Sequence, residues 1–297
     1  PPLRYTLYLN KISNRGHPLM FDTVLIAGLG LMGGSMAKTI KARTLSRVLG
    51  WNRTRATAEQ ALADGSIDAI ATDALFREVD LVIIGLYPQA TVDWLLENMP
   101  KMKKGCVIVD MVGVKQFMVD HLEQAALDAG VHYVGGHPMA GREFSGLDYA
   151  LPTLFDGASM IFVPTRSSSE RILSQLEAYF MSLGFGQTVR CTAEQHDHMI
   201  AFTSQLAHVV SSSYIKSPEA DKHNGYSAGS YKDLTRVAKL NETMWSELFL
   251  CNAEPLACEI DEIIRHLDEY RRVIRAGDRQ TLTELLRDGR IRKENLG

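Results

Sequence analysis

The sequence places its best candidates for chemistry in a glycine-rich turn and in a histidine segment farther along the chain. The turn, Gly28-Leu29-Gly30-Leu31-Met32-Gly33, follows an apolar run that predicts a strand and precedes a predicted helix. In that context the first glycine allows a tight turn, the second lets the backbone approach a pyrophosphate, and the third lets helix and strand pack closely. The start of the helix offers N–H groups and a positive dipole to the phosphates. We therefore predict a dinucleotide site here; a purely structural turn is the alternative.

The end of the second predicted strand indicates which dinucleotide fits. Such a unit usually has an acidic residue there to bind the adenosine ribose 2′-hydroxyl, whereas this chain has Trp51-Asn52-Arg53-Thr54-Arg55. The amide of Asn52 does not repel a 2′-phosphate, and a guanidinium at Arg53 or Arg55 can bind its oxygens. The sequence predicts NADP, with NAD as the alternative cofactor, and places Asn52, Arg53 and Thr54 in the cofactor site. Arginines that are simply solvated are the alternative reading.

His137 is the strongest candidate for acid–base chemistry. It lies in Gly135-Gly136-His137-Pro138, after a strand predicted over residues 131–134, and ligands of open α/β sheets bind at the carboxyl ends of strands. A neutral imidazole, with an ordinary pKa of about 6.5, can accept a proton from a substrate hydroxyl. From the residues alone, a histidine that orders the loop is an equally good reading.

Polar side chains also interrupt an apolar segment that predicts a long helix. Ser204, His208 and Ser212 follow one another at intervals of four residues, so they should share one face that lines a cavity. A core histidine with its hydrogen bonds satisfied is the alternative for His208. His196 and His198 are two residues apart and point in different directions on a helix, and we predict no metal site.

The elements that must hold these residues follow a βα rhythm. Apolar β-branched runs alternate with amphipathic stretches from residue 23 onward, which predicts a mostly parallel sheet covered by helices. Later segments are helical, apolar over 193–214 and amphipathic over 254–276. We predict an N-terminal extension over 1–19, a dinucleotide-binding domain over 20–166 and a mostly helical substrate and dimerisation domain over 167–297. The fold class is α/β, a Rossmann-type mostly parallel sheet followed by an all-helical dimerisation domain. A homodimer would bury the apolar helix; burial within one chain is the alternative.

Composition and charge exclude several classes of partner. The 297 residues are 45% hydrophobic, and 32 basic against 35 acidic residues give a formal charge of -3. That balance argues against binding to nucleic acid or to an anionic membrane. No apolar stretch reaches the roughly 20 residues that a bilayer span needs. The four cysteines form no Cys-x-x-Cys pair, so we expect reduced thiols and a cytoplasmic protein.

Several segments occur in an order that resembles the prephenate dehydrogenase family, which includes the arogenate dehydrogenases. They are GLGLMGGS, GGHPMAG, EQHDH, SAGSYKDLTR and MW, and the resemblance runs from Thr23 to the C-terminus. It implies oxidative decarboxylation of prephenate to 4-hydroxyphenylpyruvate in tyrosine biosynthesis, with a nicotinamide cofactor. It also implies that His137 is the catalytic base and that Arg236 binds a substrate carboxylate, for which a guanidinium fork is well suited. A surface arginine in an ion pair is the alternative for Arg236.

The resemblance assigns further residues to the substrate end of the site. His208 matches a substrate-site histidine, Glu143 an acid that gates or polarises the pocket, and Gly229 and Trp245 positions that line it. The tryptophan reaches across a dimer interface in this reading. His196 also matches a family position, and ordering the start of its helix is an equally good role for it.

Two departures from the family pattern leave the substrate open. Gly113 stands where the family usually has a serine that helps to orient the catalytic histidine, and Gln205 stands where some members have histidine. Arogenate has an amino group where prephenate has a keto group, and that amine would favour a nearby carboxylate such as Glu143. The alternatives are an arogenate dehydrogenase, an NADP-dependent β-hydroxyacid-type dehydrogenase with a lysine base, and a non-catalytic nucleotide sensor.

Overall fold

The structure is a computed structural model that describes residues 21–142 and 144–296, so the expected extension over 1–19 lies outside the described part of the chain. The chain forms two compact units. The first comprises the described residues up to Asp197 together with Asn241–Cys251, and the second comprises His198–Leu240 and the residues from Asn252 onward. The division therefore falls later in the chain than the boundary expected near residue 166. Among the described residues, every helix is too short or too polar to cross a bilayer.

The first unit is built on one mostly parallel sheet. Within the described residues its strands are β1 (Thr23–Ala27), β2 (Arg47–Trp51), β3 (Ala69–Ile70), β4 (Leu81–Ile84), β5 (Val107–Asp110), β6 (His132–Pro138), β7 (Ser159–Val163) and β8 (Gln187–Arg190). Their order across the sheet is β3-β2-β1-β4-β5-β6-β7-β8, and only the β6–β7 pair is antiparallel. The chain order reverses between β1 and β4, and ligands of such sheets bind beyond the carboxyl ends of the strands at that point.

The helices of the described residues follow the strands in the alternation that the sequence predicts. They are α1 (Leu31–Arg43), α2 (Arg55–Ala63), α3 (Pro88–Asn98), α4 (Gln116–Ala129), α5 (Glu170–Ser182), α6 (Ala193–Ile200), α7 (Leu206–Tyr214), α8 (Gly229–Thr235), α9 (Glu242–Cys251), α10 (Ala253–Ala276) and α11 (Arg279–Leu296). The boundary between the units falls inside α6, and α9 belongs to the first unit.

The sheet is buried on both faces, as its apolar strands predict. In β1, Val24 and Ile26 pack into one hydrophobic cluster, whereas Leu25 and Ala27 pack into the other. All four side chains are inaccessible to solvent. Successive residues of a strand point to opposite faces, so helices must cover each side of a strand with this composition. The predicted α/β class is confirmed.

Strand β6 is longer than the sequence predicts. It pairs in parallel with β5 from His132 to Val134 and then antiparallel with β7 from Gly135 to Pro138. A Cβ atom on Gly136 would lie 2.3 Å from the carbonyl oxygen of Asp110, so the close approach of β5 and β6 requires glycine at this position. His137 therefore lies within the strand, whereas the sequence predicted the strand to end at residue 134.

The second unit is helical, and a π-helical segment separates α6 from α7. That segment, Ala201–Gln205, is the one irregularity in what the sequence predicted as a continuous helix. Its last residue is buried, and the side-chain amide of Asn252 donates to Oε1 of Gln205 at 2.7 Å. This bond joins the π segment to the start of α10, whose predicted span over 254–276 is confirmed. Single π-helical turns are found frequently at functional sites.

Candidate functional site

The glycine turn has the shape that a pyrophosphate needs. Gly28 has a φ of +91°, and a Cβ atom there would lie 2.6 Å from the carbonyl oxygen of Gly85. A Cβ atom on Gly33 would lie 1.8 Å from the carbonyl oxygen of Gly28, so helix α1 packs on the turn without room for a side chain. The Cβ position of Gly30, in contrast, has no atom within 4 Å. The turn is therefore closed towards the sheet and open at Gly30, where a phosphate group would approach.

Helix α1 begins at Leu31, directly after the open glycine. It has no acidic residue in its first turn, and no side chain caps its amino-terminal N–H groups. Its positive end is therefore available to an anion. Leu29 and Leu31 are buried and Met32 is partly buried, so these side chains hold the turn while its backbone faces the ligand. The turn fits the pyrophosphate of a pyridine dinucleotide.

Asn52 connects the end of β2 to this turn. Its Oδ1 accepts a hydrogen bond from the N–H of Leu29 at 3.0 Å, and its Nδ2 donates to the carbonyl oxygen of Thr54 at 3.0 Å. The side chain thus orders both the glycine turn and the loop in which the ribose-binding residue of such units lies. Arg53 and Thr54 in that loop are exposed, whereas the exposed Arg55 is bound to Glu59 at 2.8 Å.

His137 is the first member of a chain of hydrogen bonds that ends in a carboxylate. Its Nδ1 lies 2.9 Å from Nε2 of His196, and Nδ1 of His196 lies 2.7 Å from Oδ1 of Asp197. The Asp197 carboxylate also accepts the backbone N–H groups of Lys115, at 2.7 Å, and Gln116, at 2.8 Å. Those N–H groups belong to the start of α4, so the carboxylate is fixed at a helix N-terminus. His196 and Asp197 are buried, and His137 is half-buried.

Burial keeps the imidazoles of His137 and His196 neutral. Burial, with the nearby His196 and Lys115, places the pKa of His137 well below its usual value. Burial also lowers the pKa of His196, although the hydrogen bond to Asp197 acts in the opposite direction. A neutral imidazole is the form that can accept a proton, so His137 is poised as a base at neutral pH.

A second buried carboxylate holds the backbone around His137. Asp110, the last residue of β5, pairs with the ammonium group of Lys115, and neither side chain is accessible to solvent. It also accepts hydrogen bonds from the N–H of Val112 at 2.8 Å, the hydroxyl of Tyr133 at 2.7 Å and the N–H of Gly136 at 3.4 Å. Asp110 thus ties the loop after β5 to the strand that carries His137. The only signal of this pair in the sequence is an acid and a lysine within an apolar stretch, and it was not among the predicted site residues.

Helix α9 adds to the same unit on the side of the β4–α3 loop. The Glu247 carboxylate accepts the backbone N–H of Gln89 at 2.6 Å, at the N-terminus of α3. Trp245 is half-buried and its ring lies 5.3 Å from that of Phe249. A Cβ atom on Gly113 would lie 3.6 Å from Cδ2 of Leu248. Glu143 is outside the described residues.

The other predicted substrate residues lie in the second unit. Nδ1 of His208 bonds the carbonyl oxygen of Ser204 at 2.8 Å, and both residues are half-buried. Gly229 begins α8, and Arg236 follows the end of that helix and is exposed. The Ser211 hydroxyl donates to the carbonyl oxygen of Leu234 at 2.6 Å, which joins α7 to α8. In the described residues, no group of three His, Cys, Asp or Glu side chains is arranged to hold a metal ion.

Comparisons with known proteins cover nearly the whole chain. Residues 36–187 match the profile described as "Prephenate dehydrogenase, nucleotide-binding domain", and residues 192–288 match "Prephenate dehydrogenase, dimerization domain". The chain is 30% identical over 275 residues to the cyclohexadienyl dehydrogenase of Zymomonas mobilis, which covers 89% of this chain and 92% of that protein. It is 29% identical over 286 residues to the prephenate dehydrogenase of Bacillus subtilis, covering 93% of this chain and 76% of that protein.

The solved structures agree. Prephenate dehydrogenase from A. aeolicus, in complex with hydroxyphenyl propionate and NAD+, superposes with a TM-score of 0.84 at 26% identity over 95% of this chain and all (100%) of that chain. Synechocystis arogenate dehydrogenase shares the fold, with a TM-score of 0.78 at 23% identity over 93% of this chain and 100% of that one. These matches show that the chain belongs to the prephenate dehydrogenase family, whose members are NAD(P)-dependent dehydrogenases of tyrosine biosynthesis.

Proposed function

We propose that this protein converts prephenate to 4-hydroxyphenylpyruvate by oxidative decarboxylation, with NADP as hydride acceptor and His137 as base. The observation that carries the proposal is the chain His137–His196–Asp197, which holds a neutral imidazole at the carboxyl side of the sheet. The hydroxyphenyl propionate and NAD+ bound by the A. aeolicus relative support a hydroxyphenyl acid and a nicotinamide ring as the ligands of such a site.

The reaction assigns one proton transfer to the protein. A bound nicotinamide ring supplies the acceptor for the hydride. His137 takes the proton of the ring hydroxyl while the carbon atom that carries this hydroxyl loses hydride and becomes carbonyl-like. The bond to the ring carboxylate then breaks, carbon dioxide leaves, and the electron pair of that bond makes the ring aromatic. The resulting phenolate oxygen recovers the proton from His137, so the base returns to its neutral form.

Arg236 is proposed to bind the substrate side-chain carboxylate. A guanidinium holds a carboxylate through two parallel hydrogen bonds, which fixes its orientation as well as its position. Arg236→Lys keeps the charge and loses that geometry, so we expect KM for the substrate to rise about 10-fold or more while KM for the cofactor stays unchanged. Equal changes in KM for the substrate and KM for the cofactor would contradict this role. His208, Ser204, Gly229, Glu143 and Trp245 are proposed as further substrate-site residues.

The preference for NADP rests on the loop after β2. The position that usually carries a carboxylate is Asn52, whose amide is bound to backbone groups, and the neighbouring Arg53 is exposed. Arg53→Ala should lower kcat/KM for NADP about 10-fold and leave that for NAD unchanged. Arg55→Ala is the matched control, because Arg55 is bound to Glu59. A wild-type preference for NAD would overturn the assignment.

A substrate panel tests the whole proposal. Prephenate and arogenate are each assayed with NAD and NADP by the absorbance of the reduced cofactor, on wild-type protein and on His137→Asn. Prephenate turnover that falls by about two orders of magnitude or more in the variant, with cofactor binding retained, supports the proposal. Turnover of arogenate alone would assign the other substrate. Cofactor binding without turnover of either would favour a nucleotide sensor.

A β-hydroxyacid-type dehydrogenase would need a lysine base. The lysine beside His137 is Lys115, but its side chain is inaccessible to solvent and is paired with Asp110. A buried, paired ammonium group cannot take a proton from a bound substrate. This arrangement supports histidine chemistry in the first unit.

A homodimer is proposed through the second unit. That unit leaves large apolar side chains of α10 exposed in the single chain, among them Ile264 at 56%, Leu267 at 61% and Ile274 at 61%. They lie within the segment that matches the dimerization domain of the family. Contiguous exposed apolar residues of this kind mark an interaction surface.

A further inference from the structure

We infer that His196 and Asp197 are positioning residues that hold His137 in the tautomer with a proton on Nδ1, so that Nε2 is the atom that receives the substrate proton. The inference deepens the proposed function and rests on His137 being its base. It follows from the direction of the hydrogen bonds in the chain His137–His196–Asp197. Neither residue needs to touch the substrate for this role.

The Asp197 carboxylate sets the direction of both hydrogen bonds, from His196 to Asp197 and from His137 to His196. An ionised carboxylate accepts hydrogen bonds and donates none, and Asp197 already accepts two backbone N–H groups. Nδ1 of His196 must therefore carry the proton in the 2.7 Å contact with Asp197. In a neutral imidazole the other nitrogen is then an acceptor, so Nε2 of His196 accepts from Nδ1–H of His137 at 2.9 Å. The lone pair of His137 is left on Nε2.

Gly113 lies near Nε2 of His137. A Cβ atom built on Gly113 would lie 3.8 Å from both Nε2 and Cε1 of His137. This position has no side chain, so no side chain of residue 113 orients the ring from that side. Nδ1 is instead hydrogen-bonded to His196 at 2.9 Å. The hydrogen bonds through His196 to Asp197 therefore supply the orientation of the ring.

The charges around His137, His196 and Asp197 favour proton transfer to Nε2 of His137. Lys115 is paired with Asp110, whereas Asp197 accepts two backbone N–H groups and contacts the ring of His196. A proton that arrives on Nε2 makes His137 cationic, and its Nδ1–H then points through His196 towards the Asp197 carboxylate. An imidazolium that is hydrogen-bonded along such a chain is stabilised by the carboxylate, as in the serine protease triad.

Two substitutions at His196 separate the two hydrogen bonds of its ring. In His196→Asn the amide can still donate to Asp197, but no acceptor reaches His137. In His196→Gln the longer side chain can place an oxygen near the former Nε2 position, so the acceptor for His137 is kept. His198→Asn is the matched control, since His198 is exposed on the same helix. We would record the nitrogen resonances of 15N-histidine-labelled protein, assigning His137 by its loss in His137→Asn, and measure kcat and KM.

We expect wild-type His137 to be protonated on Nδ1. His196→Asn should shift His137 towards the Nε2–H tautomer and lower kcat about 10- to 100-fold, with KM changing less than about threefold. His196→Gln should keep the wild-type tautomer and most of kcat, and His198→Asn should change neither. A wild-type His137 protonated on Nε2, or a His196→Asn protein with unchanged tautomer and kcat, would overturn the inference. The resonances need no turnover, so the test remains decisive if neither prephenate nor arogenate is the substrate.

Discussion

Breaking the buried ion pair between Asp110 and Lys115 should cost the first unit much of its stability. Asp110→Asn removes the negative charge and leaves the Lys115 ammonium buried without its ion-pair partner; both side chains are inaccessible to solvent. Removal of one partner from such a pair costs about 3–5 kcal/mol. Lys115→Met should cost somewhat less, about 2–4 kcal/mol, because the carboxylate keeps three hydrogen-bond donors, Val112 N, Tyr133 OH and Gly136 N.

The double variant Asp110→Asn/Lys115→Met tests whether the cost comes from the unpaired charge. It has no buried charge at this position, so we expect it to be more stable than either single variant, within about 1–2 kcal/mol of wild type. The coupling free energy should therefore be several kcal/mol. For a unit of this size, the loss in Asp110→Asn corresponds to a fall in Tm of about 10 °C.

Tryptophan fluorescence reports this unit selectively. All 3 tryptophans of the chain, Trp51, Trp94 and Trp245, lie within its residues. Urea unfolding followed at the tryptophan emission gives the free energy of unfolding of each variant, and an unchanged m-value shows that the same surface is exposed. A loss below about 1 kcal/mol in Asp110→Asn, or a double variant destabilised by the sum of the single effects, would refute the reasoning.

Three further outcomes follow from the site and the helical unit. Gly113→Ser should change the free energy of unfolding by less than about 1 kcal/mol, because a Cβ atom there meets no atom closer than 3.6 Å. The serine hydroxyl should donate to Nε2 of His137 and lower the apparent pKa in the pH profile of kcat/KM; an unchanged pH profile would contradict the placement of Nε2. Because burial lowers the pKa of His137, kcat/KM should be constant through neutral pH and fall only below pH of about 6.5 as the base is protonated; an acid limb centred above pH of about 7 would contradict this. Leu267→Glu puts a charge on an exposed apolar side chain of α10 and should convert a dimer to monomers in light scattering; an unchanged mass would place the interface elsewhere.

The glycine turn and the strands around it could be predicted because their signals are local. An apolar run followed by spaced glycines specifies strand, turn and helix within a few residues, and β1 and α1 lie where this pattern places them. Strand β6 was predicted too short for the opposite reason. Gly135, Gly136 and Pro138 are typical of a loop, and only the antiparallel pairing with β7 extends the strand through them.

The contacts of the candidate site could not be predicted, since they join residues far apart in the sequence. His137 and His196 are separated by 59 positions, and the resemblance left the role of His196 open. Lysine and aspartate side chains are seldom fully buried, so an acid and a lysine within an apolar stretch did not by themselves predict that Lys115 and Asp110 pair inside the unit. The π segment at Ala201–Gln205 contains no glycine or proline to mark it, and the bond to its last residue comes from Asn252, 47 positions away.

Asp110 and Asp197, both buried in the first unit, differ in their hydrogen-bond partners. Asp110 is paired with the ammonium group of Lys115 and also accepts bonds from residues on both sides of the β5–β6 pair. Asp197 accepts two backbone N–H groups at the start of α4 and contacts Nδ1 of His196, which in turn contacts the ring of His137. Lys115 disfavours a positive charge on His137, whereas the hydrogen-bonded path through His196 would stabilise that charge. We therefore expect the ion pair to stabilise the backbone around His137, and Asp197 to assist the proposed base.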